Sequence, residues 1–440
     1  MKMSKKMSLP KKFLATASAI GALVTGASAQ VVVIQNAEIH TASDAGVIED
    51  GDIILLGGEI TEIGQGLTVP DGATVIDAAG QILTPGIIAP YSSIGLSEIS
   101  LDREANDAGP RSGEDFPLSA ALNAADAINP SATLIGVNRA GGVTRALSAP
   151  EAGDGMFAGQ AVVIDLDGDG QIITRPNAAQ IVMMGYAGAR RTGDTRMGAW
   201  ATLRDTLDEA RIYASNPREY YQRTRDSRFS FSDLEALAPI IAGEQKLFVH
   251  VNGAPDITTL IKLKADYGLD VVIVGGSEAW RVAQALATVE IPVILDAFNN
   301  LPAQFEDLGA TLENAARLHR AGVSIGFYNP PGFGAHNLRA LPQLAGNAVA
   351  NGLPHDAAIE ALTINPARML GIDQRYGSLE VGKGADLVIW DGDPLEVTVR
   401  PVTVIIDGKV TSLENRQTKL RDRYDDLRKG DLPHAYRGRR

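Results

Sequence analysis

Six histidines and a thin set of carboxylates carry most of the chemistry open to this 440-residue chain. His250 lies in "LFVHVN" and Asp296 in "IPVILDAF", each near the end of an apolar run. With a serine such as Ser93 they would supply the nucleophile, base and orienting acid of acyl transfer. No Gly-x-Ser-x-Gly elbow or oxyanion-hole signal accompanies them, which favours a polar, hydrogen-bonding pocket floor. A metal centre needs three or four imidazole or carboxylate donors converging on one ion. The imidazoles are His40, His250, His319, His336, His355 and His434, and His-x-His occurs nowhere. His40 falls in a β-rich segment, His319 on a helix, His355 at a helix start and His434 in the tail. That leaves His250 and His336 for a shared site, with Asp296 as its carboxylate and Glu98 and Glu278 in adjacent loops. "DLDGDGQIITRP" (Asp165–Pro176) begins like a calcium loop, with Asp165, Asp167 and Asp169 at positions 1, 3 and 5 and Gly170 at 6. Its twelfth position is Pro176 where a bidentate Glu belongs, so it reads as an acidic turn between the strands "QAVVI" and "QIITR".

These side chains need elements that gather them. "LFVHVN" (247–252), "DVVIVGG" (270–276), "IPVILDAF" (291–298) and "VSIGFYN" (323–329) are apolar strands separated by helical stretches such as "DITTLIKLKADYG". Repeated βαβ units with strands buried on both faces imply a parallel sheet under helical cover. No Gly-x-Gly-x-x-Gly turn follows the first strand, and the alternation is long and regular, so a (β/α)8 TIM-like barrel fits better than an open sheet. Strand C-terminal ends face the mouth of such a barrel, which places Tyr91, Ser93, His250, Asn252, Ser277, Asp296, Asn299, Tyr328 and His336 around it. Tyr91, Phe298, Phe327, Tyr328 and Phe333 would give it an aromatic rim, consistent with an amide or dipeptide-like small molecule. Both ends of the chain are β-rich. "GDIILLGGEITEIGQG" is a hairpin turning at Gly57-Gly58, and "VTVIIDGKVTSL" is one turning at Asp407-Gly408. Pairing the two ends into a small β-sandwich buries both half-sheets. The expected layout is a barrel over 83–375, a sandwich over 30–82 and 376–413, and a charged C-terminal helix and tail over 414–440. Leu413, just before it, and Leu420, Tyr424 and Leu427 within it form one helical stripe suited to docking on the body.

Composition narrows the partners. Residues 1–29 join five lysines, the apolar "FLATASAIGALVTG" and "ASA" before Gln30, the pattern of a cleaved signal peptide. Cleavage near Ala29 implies a periplasmic or secreted protein with no membrane span. It also takes the formal net charge from −13 to −18, because the removed segment holds five Lys and no acid. So acidic a body disfavours nucleic acid as a partner. The absence of Cys excludes disulfides, thiolate metal sites and a catalytic thiol.

Three stretches resemble the amidohydrolase superfamily, in its exported, imidazolonepropionase-like branch. They are "ILTPGIIAPYSSIGLSE", "AIEALTINPARMLGI" and "GSLEVGKGADLVIWDGDP", and the likeness runs over nearly all of residues 30–413. The resemblance implies a barrel flanked by a sandwich built from both chain ends, with divalent metal at the mouth. Family ligands are a His-x-His after strand 1, a carboxylated Lys or Glu on strand 4, a His each on strands 5 and 6, and an Asp on strand 8. This chain has Tyr91 and Ser93 for the first pair, with Ala89 for the preceding Asp. "QIVMMGYAG" is the nearest strand-4 stretch. His250 matches strand 5, Gly275 or Gly276 takes the strand-6 position, and Tyr328 or Asn329 the strand-8 position. The expectation is therefore an exported hydrolase-like protein that has lost its metal site and needs no cofactor. It would bind a small molecule or act as a partner subunit, in a homo- or hetero-oligomer with a related amidohydrolase. The alternative is an active hydrolase of non-peptide carbon–nitrogen bonds, with an atypical or mononuclear zinc site around His250, His336 and Asp296.

Overall fold

The structure is a computed structural model, and it describes residues 31–110, 113, 118–168, 170–223, 230–330 and 335–425. The proposed signal peptide, Asp169, Phe333, Leu427 and His434 lie outside the described residues.

The chain opens with β1 (Val31–His40), β2 (Val47–Leu56), β3 (Glu59–Gln65), β4 (Thr74–Asp77) and β5 (Ile82–Pro85). The barrel follows as β6 (Ile87–Ser92), β7 (Val143–Ser148), β8 (Phe157–Asp165), β9 (Ile173–Met183), β10 (Lys246–Val251), β11 (Val271–Gly275), β12 (Val293–Leu295) and β13 (Ile325–Phe327). The chain returns through β14 (Leu387–Trp390), β15 (Pro401–Ile406) and β16 (Lys409–Val410).

The two chain ends form one hydrogen-bonded sheet in the order β16-β15-β14-β5-β1-β2-β3, with β4 also paired to β1. The seam between them is β14 against β5, where Leu387 faces Pro85 and Trp390 faces Ile82. The sheet branches at β1, and residues from both arms share one core that includes Val32, Ile53, Leu387 and Ile405. Both hairpin turns use positive φ at both residues, 63° and 90° at Gly57 and Gly58, and 45° and 76° at Asp407 and Gly408. That is the twist a two-residue hairpin needs.

From β5 the chain passes directly into the barrel. Gly86 makes this junction close, because the Thr144 side chain fills the space a Cβ would take. The eight barrel strands lie in sequence order, and β13 returns beside β6 to leave the sheet nearly closed. One strand departs from the expected all-parallel alternation: β8 runs antiparallel to both β7 and β9. The acidic turn at 165–172 is the cause, since so short a link joins antiparallel strands and a parallel pair needs a longer crossover.

Strand alternation sorts the apolar side chains. Ile88, Leu147, Ile181, Phe248, Val272 and Ile294 fill the interior. Ile87, Val143, Leu247, Val249, Ile273 and Val293 face the surrounding helices. Each fully buried Leu or Ile of this kind contributes about 1.5–3 kcal/mol. Phe327 belongs to the outward set and is buried there, so it does not rim the mouth, and Phe298 is exposed.

Sheet and barrel are tied by a buried charge cluster. Arg145 of β7 bonds Asp386 through Nε at 2.7 Å and Asp407 through Nη2 at 2.7 Å. Its guanidinium lies 3.5 Å from the Tyr376 ring centroid. Burial opposes charge on Arg145, but the two carboxylates outweigh it and hold the guanidinium firmly protonated. At the C-terminus a helix forms over Arg416–Tyr424, capped by Asn415, and sits beside the helix Thr133–Arg139. It buries no residue, and Leu420 and Tyr424 stay exposed, so the expected docking stripe is weaker than its spacing implies. Among the described residues no helix is long and apolar enough to cross a membrane.

Candidate functional site

The mouth of the barrel holds a cavity of about 290 Å³. His250, Asn252, Ser277, Asp296 and Tyr328 line it. Tyr91 stands behind them, its ring edge-on to His250 at 4.8 Å and to Tyr328 at 6.0 Å. Ser93 and His336 do not line this cavity. His336 sits on the turn before the short helix Leu338–Ala340, where its carbonyl accepts from Arg339. Residues 335–339 lie against Asn138 of the helix Thr133–Arg139.

Strand register sets what surrounds His250. Its paired residues are Met183 on β9 and Val274 on β11. Met183 therefore occupies the end of the strand-4 stretch. The β11 end turns at Gly275 and Gly276, with φ of 101° and 59°. A Cβ on Gly275 would collide with Asn252 Oδ1, and one on Gly276 would lie 2.9 Å from Val293 Cγ1. Side chains are disfavoured at both positions by backbone conformation as well as by space.

A polar chain crosses the floor. Asn252 Nδ2 donates to Glu306 Oε1 at 3.4 Å, Ser277 Oγ donates to Asn252 Oδ1 at 3.2 Å, and Asn299 Nδ2 donates to Ser277 Oγ at 3.0 Å. Glu306 Oε2 also accepts from Tyr186 N at 2.9 Å. Glu306 and Asp307 come from the loop after β12, and both line the cavity. Sequence reading missed them because no motif marks "QFEDLG"; their place after a barrel strand was the available signal. Glu98 and Glu278 have structural duties instead. Glu98 accepts from Thr133 N and Oγ1 at a helix start, and Glu278 accepts from Gly309 N at 2.9 Å.

The electrostatics are one-sided. Asp296, Glu306 and Asp307 line the cavity, and among the described residues no Lys or Arg does. Burial raises the pKa of Asp296 and of Glu306. Burial, helped by the charge of Arg191, lowers His250 from 6.5 to about 4, so its imidazole is neutral at ordinary pH. Burial also keeps the Tyr91 and Tyr328 phenols protonated. Three buried polar atoms of cavity-lining residues have no hydrogen-bond partner: His250 Nε2, Asp307 Oδ1 and Asn314 Oδ1. Leaving such an atom unsatisfied costs about 1–3 kcal/mol, which a bound group can recover. No hydrogen bond joins His250 to Ser93 or Asp296 among the described residues, so an oriented Ser-His-Asp arrangement is not assembled. A second cavity, about 670 Å³, adjoins the first and shares Gln304 and Glu306 with it.

Known proteins match this architecture. The Amidohydrolase family model matches residues 234–411, from the helix before β10 through the return into the first sheet. The chain is similar to the amidohydrolase tasK of Hapsidospora irregularis, at 24% identity over 395 residues, 81% of this chain and 39% of that protein. It is similar to an imidazolonepropionase of Sphingopyxis alaskensis, at 37% identity over 87 residues, 20% of this chain and 21% of that one. It thus spans well under half the length of these curated relatives. The crystal structure of an amidohydrolase from Thermotoga maritima MSB8 covers 87% of this chain and 99% of its own, with 26% identity and a TM-score of 0.76. The family match and the end-to-end structural likeness together support placing the chain in the amidohydrolase superfamily.

Proposed function

We propose that this chain is an exported amidohydrolase-fold protein whose barrel mouth binds a small amine-bearing ligand without the metal-driven hydrolysis of the superfamily. The observation that carries this reading is the company His250 keeps. A metal hydrolase needs three or four donors around its ion. Here the Tyr91 ring packs edge-on against the imidazole, Met183 and Val274 are its neighbours in the sheet, and Gly275 and Gly276 leave no room for a further side chain. That donor set does not fit the centre the fold family implies.

What remains suits a cation. Asp296, Glu306 and Asp307 supply carboxylate acceptors, and the Tyr328 ring in the same lining can attract an ammonium group. Among the described residues these three carboxylates do not bring one oxygen each within 4.8 Å of one another, a spread that suits an extended organic amine better than a bare ion. A partner role beside a related subunit is compatible with this reading, and a pull-down of the native protein tests it. Export is supported by the pattern of residues 1–29.

Calorimetry decides the ligand class. Phenethylamine is expected to bind at one site and its N-acetyl derivative at least ten-fold more weakly. Asp307→Asn should weaken the amine selectively. Equal binding of both compounds would refute the cation reading. The second reading, a mononuclear hydrolase, is favoured by the unpartnered Nε2 of His250. It requires amide hydrolysis that appears with added zinc or manganese and disappears in His250→Phe.

A further inference from the structure

His40 ends β1 and His355 opens the helix His355–Leu362, so the first sheet and the barrel's helical layer each bring one imidazole to their seam. The ring centroids are 6.0 Å apart. One nitrogen of each ring and one carboxylate oxygen of Asp356 all lie within 4.8 Å of one another, the only such group among the described residues. Each imidazole is also held from behind. Nε2 of His40 lies 2.9 Å from Glu38 Oε1. Nε2 of His355 lies 3.1 and 3.0 Å from the two oxygens of Asp393. A carboxylate on Nε2 keeps the proton there and leaves Nδ1 as the lone-pair nitrogen. In His355 that Nδ1 is 3.9 Å from Asp356 Oδ1.

We propose that His40, His355 and Asp356 form a binding site for a borderline divalent transition ion of the Zn²⁺ class, with Glu38 and Asp393 orienting the imidazoles. It uses none of the mouth residues and stands apart from the function proposed above. Two imidazole nitrogens and one carboxylate suit Zn²⁺, Co²⁺ or Cu²⁺ and disfavour Ca²⁺ and Mg²⁺, which prefer all-oxygen shells. Zinc bonds of about 2.0–2.2 Å put tetrahedral ligand atoms about 3.3 Å apart. The donors, up to 4.8 Å apart, must close by up to about 1.5 Å, and Asp356, whose side chain is 82% exposed, is free to move. Water completes the shell. The carboxylate–imidazole–metal arrangement is what distinguishes the site from two imidazoles that merely satisfy hydrogen bonds, since backing carboxylates raise ligand basicity and fix the ring.

The test titrates the chelator-stripped full chain with Co²⁺ and Zn²⁺. One equivalent per chain is expected, with the visible absorption of tetrahedral cobalt, and magnesium should not compete. The double variant His40→Gln/His355→Gln should lose uptake. Asp393→Asn should weaken affinity about 10- to 100-fold, because it removes only the backing carboxylate. Should the histidine variant not fold, Asp356→Asn decides, since its side chain is exposed and its affinity loss is expected to exceed ten-fold. No uptake by the unaltered chain at 100-fold excess metal overturns the proposal, as does full uptake by the folded variants.

Discussion

Acidification should unfold this protein partly through His250, and the size of that contribution follows from its burial. The imidazole titrates near 6.5 in an unfolded chain and near 4 in the barrel. Between those values the unfolded state binds the proton and the folded state does not, so stability falls as pH drops through this window. A shift of 2.5 units corresponds to about 3 kcal/mol at full extent. At pH 4.5 about 2.5 kcal/mol of it should already be lost. Other buried groups act the opposite way. Asp165, raised by burial to about 6, takes up a proton in the folded state first and so gains stability over the same range. The groups around His250 are Tyr91, Tyr328, Asp296 and Arg191, and neither phenol nor guanidinium titrates there. The raw pH profile therefore mixes signs, and a difference measurement is needed. His250→Phe keeps an aromatic ring against Tyr91 and removes the titration. Urea unfolding of both proteins at pH 7 and pH 4.5 gives the two stability losses. The loss in His250→Phe should be smaller by about 2.5 kcal/mol. Equal losses, within about 0.5 kcal/mol, would refute the view that burial keeps this imidazole neutral.

Arg145→Ala leaves Asp386 buried without its partner and should cost about 3–5 kcal/mol, read as a lower urea midpoint. Arg145→Lys should recover little, since an ammonium cannot make the forked bonds to two carboxylates while stacking on Tyr376. The double variant Tyr91→His/Ser93→His should not bring zinc to the barrel mouth by elemental analysis, because Gly275, Gly276 and Tyr328 stay as they are; the count is made in a His40→Gln/His355→Gln background so that seam metal does not confuse it. Gly86→Ala should destabilise by about 1–3 kcal/mol through collision with Thr144, and Thr144→Ala in the same chain should recover part of the loss.

Much of the scaffold was legible because its signals are local. β10 to β13 are short apolar runs bounded by turn residues, and helical turns follow β10 and β11 within a few residues. The Gly57-Gly58 and Asp407-Gly408 turns announced both hairpins. The direction of β8 was harder. Its strand is as apolar as a parallel one, and only the brevity of the link to β9 betrayed the antiparallel pairing. The mouth was legible by strand and illegible by loop. His250, Asp296 and Tyr328 could be placed from the strand ends they occupy, whereas Glu306 and Asp307 reach the cavity by the path of an irregular loop. Long-range pairs left no trace at all. Nothing near His40 in the sequence names His355, and nothing near Arg145 names Asp386 or Asp407.

The glycine pair at the end of β11 shows where the two kinds of information meet. In the sequence Gly275 and Gly276 mark only the end of an apolar strand. In the fold they are residues with left-handed φ, and Asn252 stands where a Gly275 side chain would start. Asn252 in turn binds Ser277 and Glu306, the groups that form the floor of the cavity. A side chain at Gly275 would strain the backbone and displace the residue on which the polar floor depends. The glycines at the end of β11 and the polar floor are thus one structural fact. A mouth organised around Asn252 and Glu306 leaves no space for a side chain at the end of β11.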